Sequence, residues 1–153
     1  MGLLKGLWKM KTLILCIIVG LPALAQSNLQ GQGKLTVIIE NLRSNKGSVG
    51  VSLHNLPEAF PGDASKSVKS AFAPIREGVA RVVFDGIPVG NYAVAVFHDE
   101  NEDRKLNSNM FGIPREGYGT SRDAKGFMGP PKFENAAFEI RQSPVSIQIK
   151  MVY

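Results

Sequence analysis

The stretch HDENEDRKLN, residues 98–107, sets Asp99, Asn101 and Asp103 at alternate positions directly after the apolar run YAVAVF. A position suited to a backbone carbonyl follows at Lys105, then the apolar Leu106, then Asn107. These are offsets 1, 3, 5, 7, 8 and 9 of a D-x-[DN]-x-[DN] calcium loop, in which alternate side chains turn inward on a tight coil. Calcium takes roughly six to eight hard oxygen ligands, and these side chains with a carbonyl and water supply that number. Two offsets depart from the pattern. The sixth, normally Gly for the sharp turn, is Arg104, and the twelfth, normally a bidentate Glu, is Met110. Because a strand enters the loop, a helix-loop-helix hand is excluded and the missing ligand must come from elsewhere, with Glu116 and Asp123 as nearby carboxylates. The other use of the same residues is an Asx-rich turn that hydrogen-bonds its own backbone. Spacing leaves both uses open.

Other chemistry is thinly provided. His98 ends the strand beside this loop and His54 ends another, but two histidines without cysteine make a poor zinc set. Ser52 and His54, two apart on one strand, share a face, yet no nucleophile elbow or acid partner completes a triad. Asp99, Glu100, Glu102 and Asp103 bunch on one loop, whereas glycoside chemistry needs carboxylates on both sides of a substrate. No P-loop or dinucleotide fingerprint is present. The expectation is a protein that is not an enzyme.

The elements that position these residues begin after residue 25. Lys5, Lys9 and Lys11 precede the apolar run TLILCIIVGLPALA, which ends in the small-x-small pattern Ala23-Leu24-Ala25. That is a secretory signal peptide cleaved after Ala25, too short and too interrupted by Pro22 for a bilayer span. Secretion or a periplasmic location follows, with no stable membrane span after cleavage. Cys16, the only cysteine, leaves with the signal, so the mature chain has neither a disulfide nor a thiolate-bound metal. The formal charge of +5 falls to +2 when three of 18 basic residues are removed, which takes away the main compositional support for nucleic-acid binding.

Residues 26–33 read as a flexible Gly-rich leader, and 34–153 as one domain. Segments 34–42, 47–54, 78–87, 91–99, 136–140 and 144–153 alternate with period two and are rich in β-branched residues; 67–75 is a weaker seventh. With no helical period anywhere in this region, the pattern predicts an all-β fold, a single immunoglobulin-like or transthyretin-like sandwich of about seven strands. The excursion 55–66 carries Pro57 and Pro61 and is expected at an edge. The Gly- and Pro-rich segment 99–135 has no clear strand but carries Phe111, Tyr118, Phe127 and Phe133, so it is expected to be one long ordered loop with Phe111 and Phe133 as buried anchors.

The strings GSVGVSL, VFDGIPVGNYAVAVFHDEN, KLNSNMFGIPREGYGTS and GPPKFENAAF, with a final strand ending in Tyr153, closely resemble the DUF2141 family of small secreted bacterial proteins. The resemblance runs over about 34–153. Its pattern HDENxNGKLDxN is kept at Asp99, Asn101, Lys105, Leu106 and Asn109, and departs at Arg104 for Gly and Asn107 for Asp. GIPVGNYAVAVFHD also looks like a strand of transthyretin-like and carboxypeptidase regulatory-like sandwiches, a likeness of fold from which function does not follow. The resulting expectation is a non-catalytic binding or accessory module of the cell envelope. Its partner is an envelope protein or glycan and not nucleic acid, and its calcium loop is formed by Asp99, Asn101, Asp103, Lys105 and Asn107. The rival readings are a hydrolase using the acidic loop and His98, and a sandwich that binds a small sugar or hydrophobe.

Overall fold

Alternation along the first strand shows what drives the fold. In β1 (Gln32–Glu40) the side chains of Leu35, Val37 and Ile39 are fully buried, while Thr36 and Ile38 between them are half-buried and Lys34 before them is exposed. The computed structural model describes residues 31–153; the expected signal peptide and the leader up to residue 30 lie outside the described residues. β1 begins within the stretch read as leader.

The remaining elements are β2 (Ser48–His54), β3 (Lys69–Arg76), β4 (Val79–Pro88), β5 (Gly90–Asp99), β6 (Tyr118–Thr120), the one-turn helix α1 (Phe133–Ala136), β7 (Phe138–Ile140) and β8 (Val145–Lys150). They form one eight-stranded sheet in the order β6-β5-β2-β3-β4-β1-β8, with β7 also on β5. All pairings are antiparallel except β1 with β8. Residues Lys69–Pro74 of β3 pair with β2, whereas Ile75 and Arg76 pair with β4, so β3 passes from one half of the sheet to the other. The free ends meet where the Tyr118 and Val152 backbones exchange hydrogen bonds of 2.9 Å each way. The sheet is thus nearly closed into a barrel. The all-β reading holds, and the two facing layers expected of a sandwich are halves of one continuous sheet.

Inside lie Leu35, Val37, Ile39, Val49, Val51, Leu53, Val82, Phe84, Val94, Val96 and Ile149. Each fully buried aliphatic side chain of this kind contributes about 1.5–3 kcal/mol. A second cluster, Phe60, Ala93, Ala95, Phe133 and Ala136, sits outside the barrel. Thus the excursion 55–66 does more than skirt an edge: it folds back so that Phe60 meets Phe133, ring centroids 6.0 Å apart. β2 is buried on both faces from Val49 to His54, its outer face covered partly by this cluster and at Gly50 by the Phe97 ring. No helix among the described residues is long and apolar enough to cross a membrane.

His54 lies under this outer cluster with no exposure, its ring edge-on to Phe60 at 5.7 Å. Its Nε2 pairs with Ser52 Oγ at 2.9 Å, and Ser52 Oγ donates to the Ala95 carbonyl at 3.4 Å. That ordering puts the imidazole proton on Nε2 and leaves Nδ1 as a bare lone pair, the one unpartnered buried side-chain nitrogen or oxygen among the described residues. Burial pushes the imidazole below its ordinary range, with Asp63 opposing weakly. The unfolded chain therefore takes up a proton that the folded chain refuses, and stability is lost as pH falls from the ordinary histidine range through the depressed value. Urea midpoints measured from pH 7.5 to about pH 5 are expected to fall in the wild type and to fall less in His54→Gln; equal slopes would show that His54 does not carry the effect.

Candidate functional site

β5 ends at Asp99, and the chain then leaves the sheet for eighteen residues before β6. Two buried carboxylates anchor this excursion. Asp99, with no exposure, accepts the backbone N–H of Asp103 at 3.1 Å on Oδ1 and that of Arg104 at 2.8 Å on Oδ2. Glu116, 6% exposed, accepts the N–H of Glu100 at 3.0 Å on one oxygen and the N–H of Asn107 at 2.8 Å on the other. A carboxylate withdrawn from water needs such donors, and each charge-assisted bond is worth about 1.5–3 kcal/mol.

The alternate residues complete the coil. Asn101 Oδ1 accepts from the Asp103 N–H at 3.2 Å, and Asp103 Oδ1 accepts from the Lys105 N–H at 2.9 Å. Arg104, where the pattern wants Gly, adopts φ +62° and makes the sharp turn itself. Asp103 Oδ2 accepts the side-chain amides of Asn107 at 2.9 Å and Asn101 at 3.1 Å. These bonds, Asn107 foremost, hold the Asp103 carboxyl below its usual range.

The sequence-predicted residues therefore converge: Asp99, Asn101, Asp103 and Asn107 surround one coil with the Lys105 backbone, whose carbonyl accepts the Asn107 amide at 3.4 Å. Of the two carboxylates considered for the missing ligand, Glu116 joins the coil, also accepting the Asn107 amide at 3.2 Å. Asp123 instead accepts the Lys150 N–H at 2.9 Å, away from it. Among the described residues no three His, Cys, Asp or Glu side chains gather as a metal set on their own. A cation here must draw on amide and carbonyl oxygens as well, which suits calcium better than zinc.

Neighbouring segments hold the coil at its base. Gly47 has φ +68°, and a Cβ there would fall on the Asp99 carbonyl oxygen, so only glycine lets this turn approach. Arg43 grips Glu100 through two bonds of 2.6 and 2.8 Å, reaches the Arg115 carbonyl at 3.3 Å and lies 4.5 Å from the Tyr153 ring centroid. The Arg43 guanidinium holds the Glu100 carboxyl below its usual range. His98 is fully buried, with Nε2 at 2.8 Å from the Lys46 carbonyl and Nδ1 at 2.8 Å from the Tyr153 hydroxyl. Both ring nitrogens are engaged within the fold.

Beyond the coil, Asn109 Oδ1 accepts the N–H groups of Phe111 and Ile113, and the chain returns as a narrow hairpin bridged at Ser108 and Pro114. Its tip corrects one expectation. Phe133 is buried in the outer cluster, but Phe111 is 80% exposed beside Met110 at 90%, so it anchors nothing in the body. Asn109 holds the hairpin by hydrogen bonds, leaving the phenyl group no structural duty. Phe127 is likewise outside, and the segment 99–135 is interrupted by β6.

Sequence reading missed a third feature. Gly50 pairs with Phe72 on one side and Phe97 on the other, and Phe97 pairs with Tyr118, so three aromatic side chains lie in one row on the outer face of β3, β2, β5 and β6. Phe72 and Phe97 lie in segments that read as strands, but Tyr118 lies in one that did not, and the row required the register to be seen. Arg104 reaches from the coil to the edge of this row, 5.7 Å from the Phe72 ring centroid.

A small, mostly β module that displays an acidic coil and an aromatic row at one end of a nearly closed barrel is the class these features define. The chain belongs to the DUF2141 family, described as an uncharacterized protein conserved in bacteria, whose model matches residues 37–148. No curated protein matches it. Among solved structures it is similar to a pilus-presented adhesin, Spy0125 (Cpa), at 10% identity and a TM-score of 0.28; the match covers 79% of this chain and 27% of that one. The chain thus spans little more than a quarter of that adhesin chain's length.

Replacing Glu116 by Ala strands three donors at the base of the coil. A loss of about 2–4 kcal/mol in urea denaturation is expected; a loss under about 0.5 kcal/mol would show that the coil is not anchored there.

Proposed function

We propose that this chain is a non-catalytic binding or accessory module of the cell envelope, secreted or periplasmic, whose excursion after Asp99 is a calcium-type loop. One observation supports this most: Asp99, Asn101 and Asp103 turn inward with Arg104 in the left-handed region, and Glu116 lies beside the coil, bonded to Asn107, where it could serve in place of the ligand that Met110 does not provide. Asp99, Asn101, Asp103, Asn107, Glu116 and the Lys105 carbonyl would hold the ion. Calcium would draw these oxygens together and stiffen the hairpin that carries Met110 and Phe111.

The same atoms also make a self-sufficient coil, because the amides of Asn101 and Asn107 donate to Asp103 Oδ2 where a cation would otherwise neutralise it. An amide turned over presents oxygen in place of N–H, so the Asn107 side chain passes from donor to ligand by a flip of its amide, while Asn101 Oδ1 already faces the coil as an acceptor. The bare coil is thus formed before the ion arrives. The non-catalytic reading is further supported by the burial of Ser52 and His54 beneath Phe60 and by the double engagement of His98.

The test is a thermal melt of residues 26–153 after chelation, with and without millimolar calcium, beside the double variant Asp99→Ala, Asp103→Ala. Calcium at about 100-fold over its dissociation constant adds about 2.7 kcal/mol, an expected rise of roughly 5–15 °C that the variant loses. No rise in the wild type would leave the coil as an Asx turn and remove calcium from the reading.

A further inference from the structure

The outer face of β3, β2, β5 and β6 is divided in two. Its lower part is covered by Phe60, Phe133 and α1, and its upper part is open, framed above by the Asp99 coil. In the open part lies the row Phe72, Gly50, Phe97, Tyr118. Phe72 is 46% and Tyr118 38% exposed. Gly50 is what lets the row form: a Cβ there would run into the Phe97 ring, which packs against the bare glycine. Phe72 then stands edge-on to Phe97, centroids 5.9 Å apart at 89°, making a floor and a wall.

Beside this corner opens a cleft of about 280 Å³ bounded by Ser48, Phe72, Asp99, Glu102 and Arg104. That is close to the lower end of ligand-site volumes, roughly 300–1,000 Å³, and fits a ring-sized group. The Asp99 carboxylate is occupied by backbone N–H groups, so the groups free to bind are hydroxyl, guanidinium and the Glu102 carboxylate. The rim carries both charge signs and favours neither a polyanion nor a polycation. An apolar peptide would leave those polar groups unpaired on burial, which is costly. A sugar ring offers what the cleft and the adjoining aromatic corner ask for together: an apolar C–H face for Phe72 of the cleft and Phe97 beside it, and vicinal hydroxyls that both donate and accept.

We infer that this corner is a saccharide site, with Phe97 and Phe72 stacking on a neutral sugar ring and Arg104 and Glu102 bonding its hydroxyls. The inference rests on the reading of the chain as a binding module. It also gives Arg104 a task that Gly could not perform, because the side chain that departs from the loop pattern is the one that reaches Phe72.

The experiment is an NMR titration of residues 26–153 with three neutral hexasaccharides, β-1,4-linked glucose, β-1,4-linked N-acetylglucosamine and α-1,4-linked glucose, each to about 10 mM, a range suited to weak single-site binding. Saturable shifts confined to the Phe72 and Phe97 rings and to Glu102 and Arg104 are expected with at least one hexamer. Phe72→Ala, an exposed position whose fold is checked by its melt, should weaken binding about tenfold or more, as truncating a stacking anchor does. No shift with any of the three overturns the saccharide site and leaves the binding-module reading standing. Undiminished affinity in Phe72→Ala places the sugar elsewhere and also overturns it. Shifts that depend on protein concentration without sugar would assign the face to a second copy instead. Shortened products after incubation would remove the non-catalytic reading while leaving the aromatic corner as the substrate's seat.

Discussion

Two carboxylates taken out of water, Asp99 and Glu116, govern the functional end of this molecule. An ionised oxygen in the interior must be given hydrogen bonds in exchange for those it loses, and here every donor identified is a backbone N–H of the excursion or the amide of Asn107. The demand of two buried charges thereby becomes the order of a long polar segment. Little apolar burial supports that segment, since its large side chains Leu106, Met110, Phe111 and Ile113 are all exposed. The loop is organised from its polar atoms outward, the reverse of the barrel beneath it.

The barrel supplies the fixed points. Register along β2 sets Ser48 opposite Asp99 and Gly50 opposite Phe97, so the coil and the aromatic row are placed by one strand pair. A slip of one residue would turn Phe97 inward and Val96 outward. The full burial of β2, inside the barrel on one face and partly under the Phe60 cluster on the other, resists such a slip. Site geometry and core packing are here the same constraint.

Much of this was legible in the sequence. Seven of the eight strands announce themselves by alternation, and the offsets from Asp99 to Asn107 predict the inward coil that forms. β6 did not announce itself, because Tyr118-Gly119-Thr120 is too short for a period and its glycine reads as a breaker, although a Cβ at Gly119 would run into the Ile149 side chain and the Lys150 carbonyl. Phe111 was misjudged because burial was assigned by residue type, while the fold of that hairpin is decided by the side chain of Asn109. The aromatic row eluded a linear reading, since Phe72, Phe97 and Tyr118 become neighbours only through cross-strand register.

The parallel pairing of β1 with β8 joins segments about 110 residues apart, and Asn41 donating to the Met151 carbonyl and the Tyr153 hydroxyl accepting from Arg43 extend the same seam. Until β8 docks, β1 has a bare edge of unpaired amides and carbonyls, an open template for any other extended chain. Such distant closure is slow relative to local turns. The seam is therefore the point of kinetic vulnerability: a chain delayed before β8 arrives is exposed to intermolecular pairing along β1, and the final strand acts as the molecule's own edge cover.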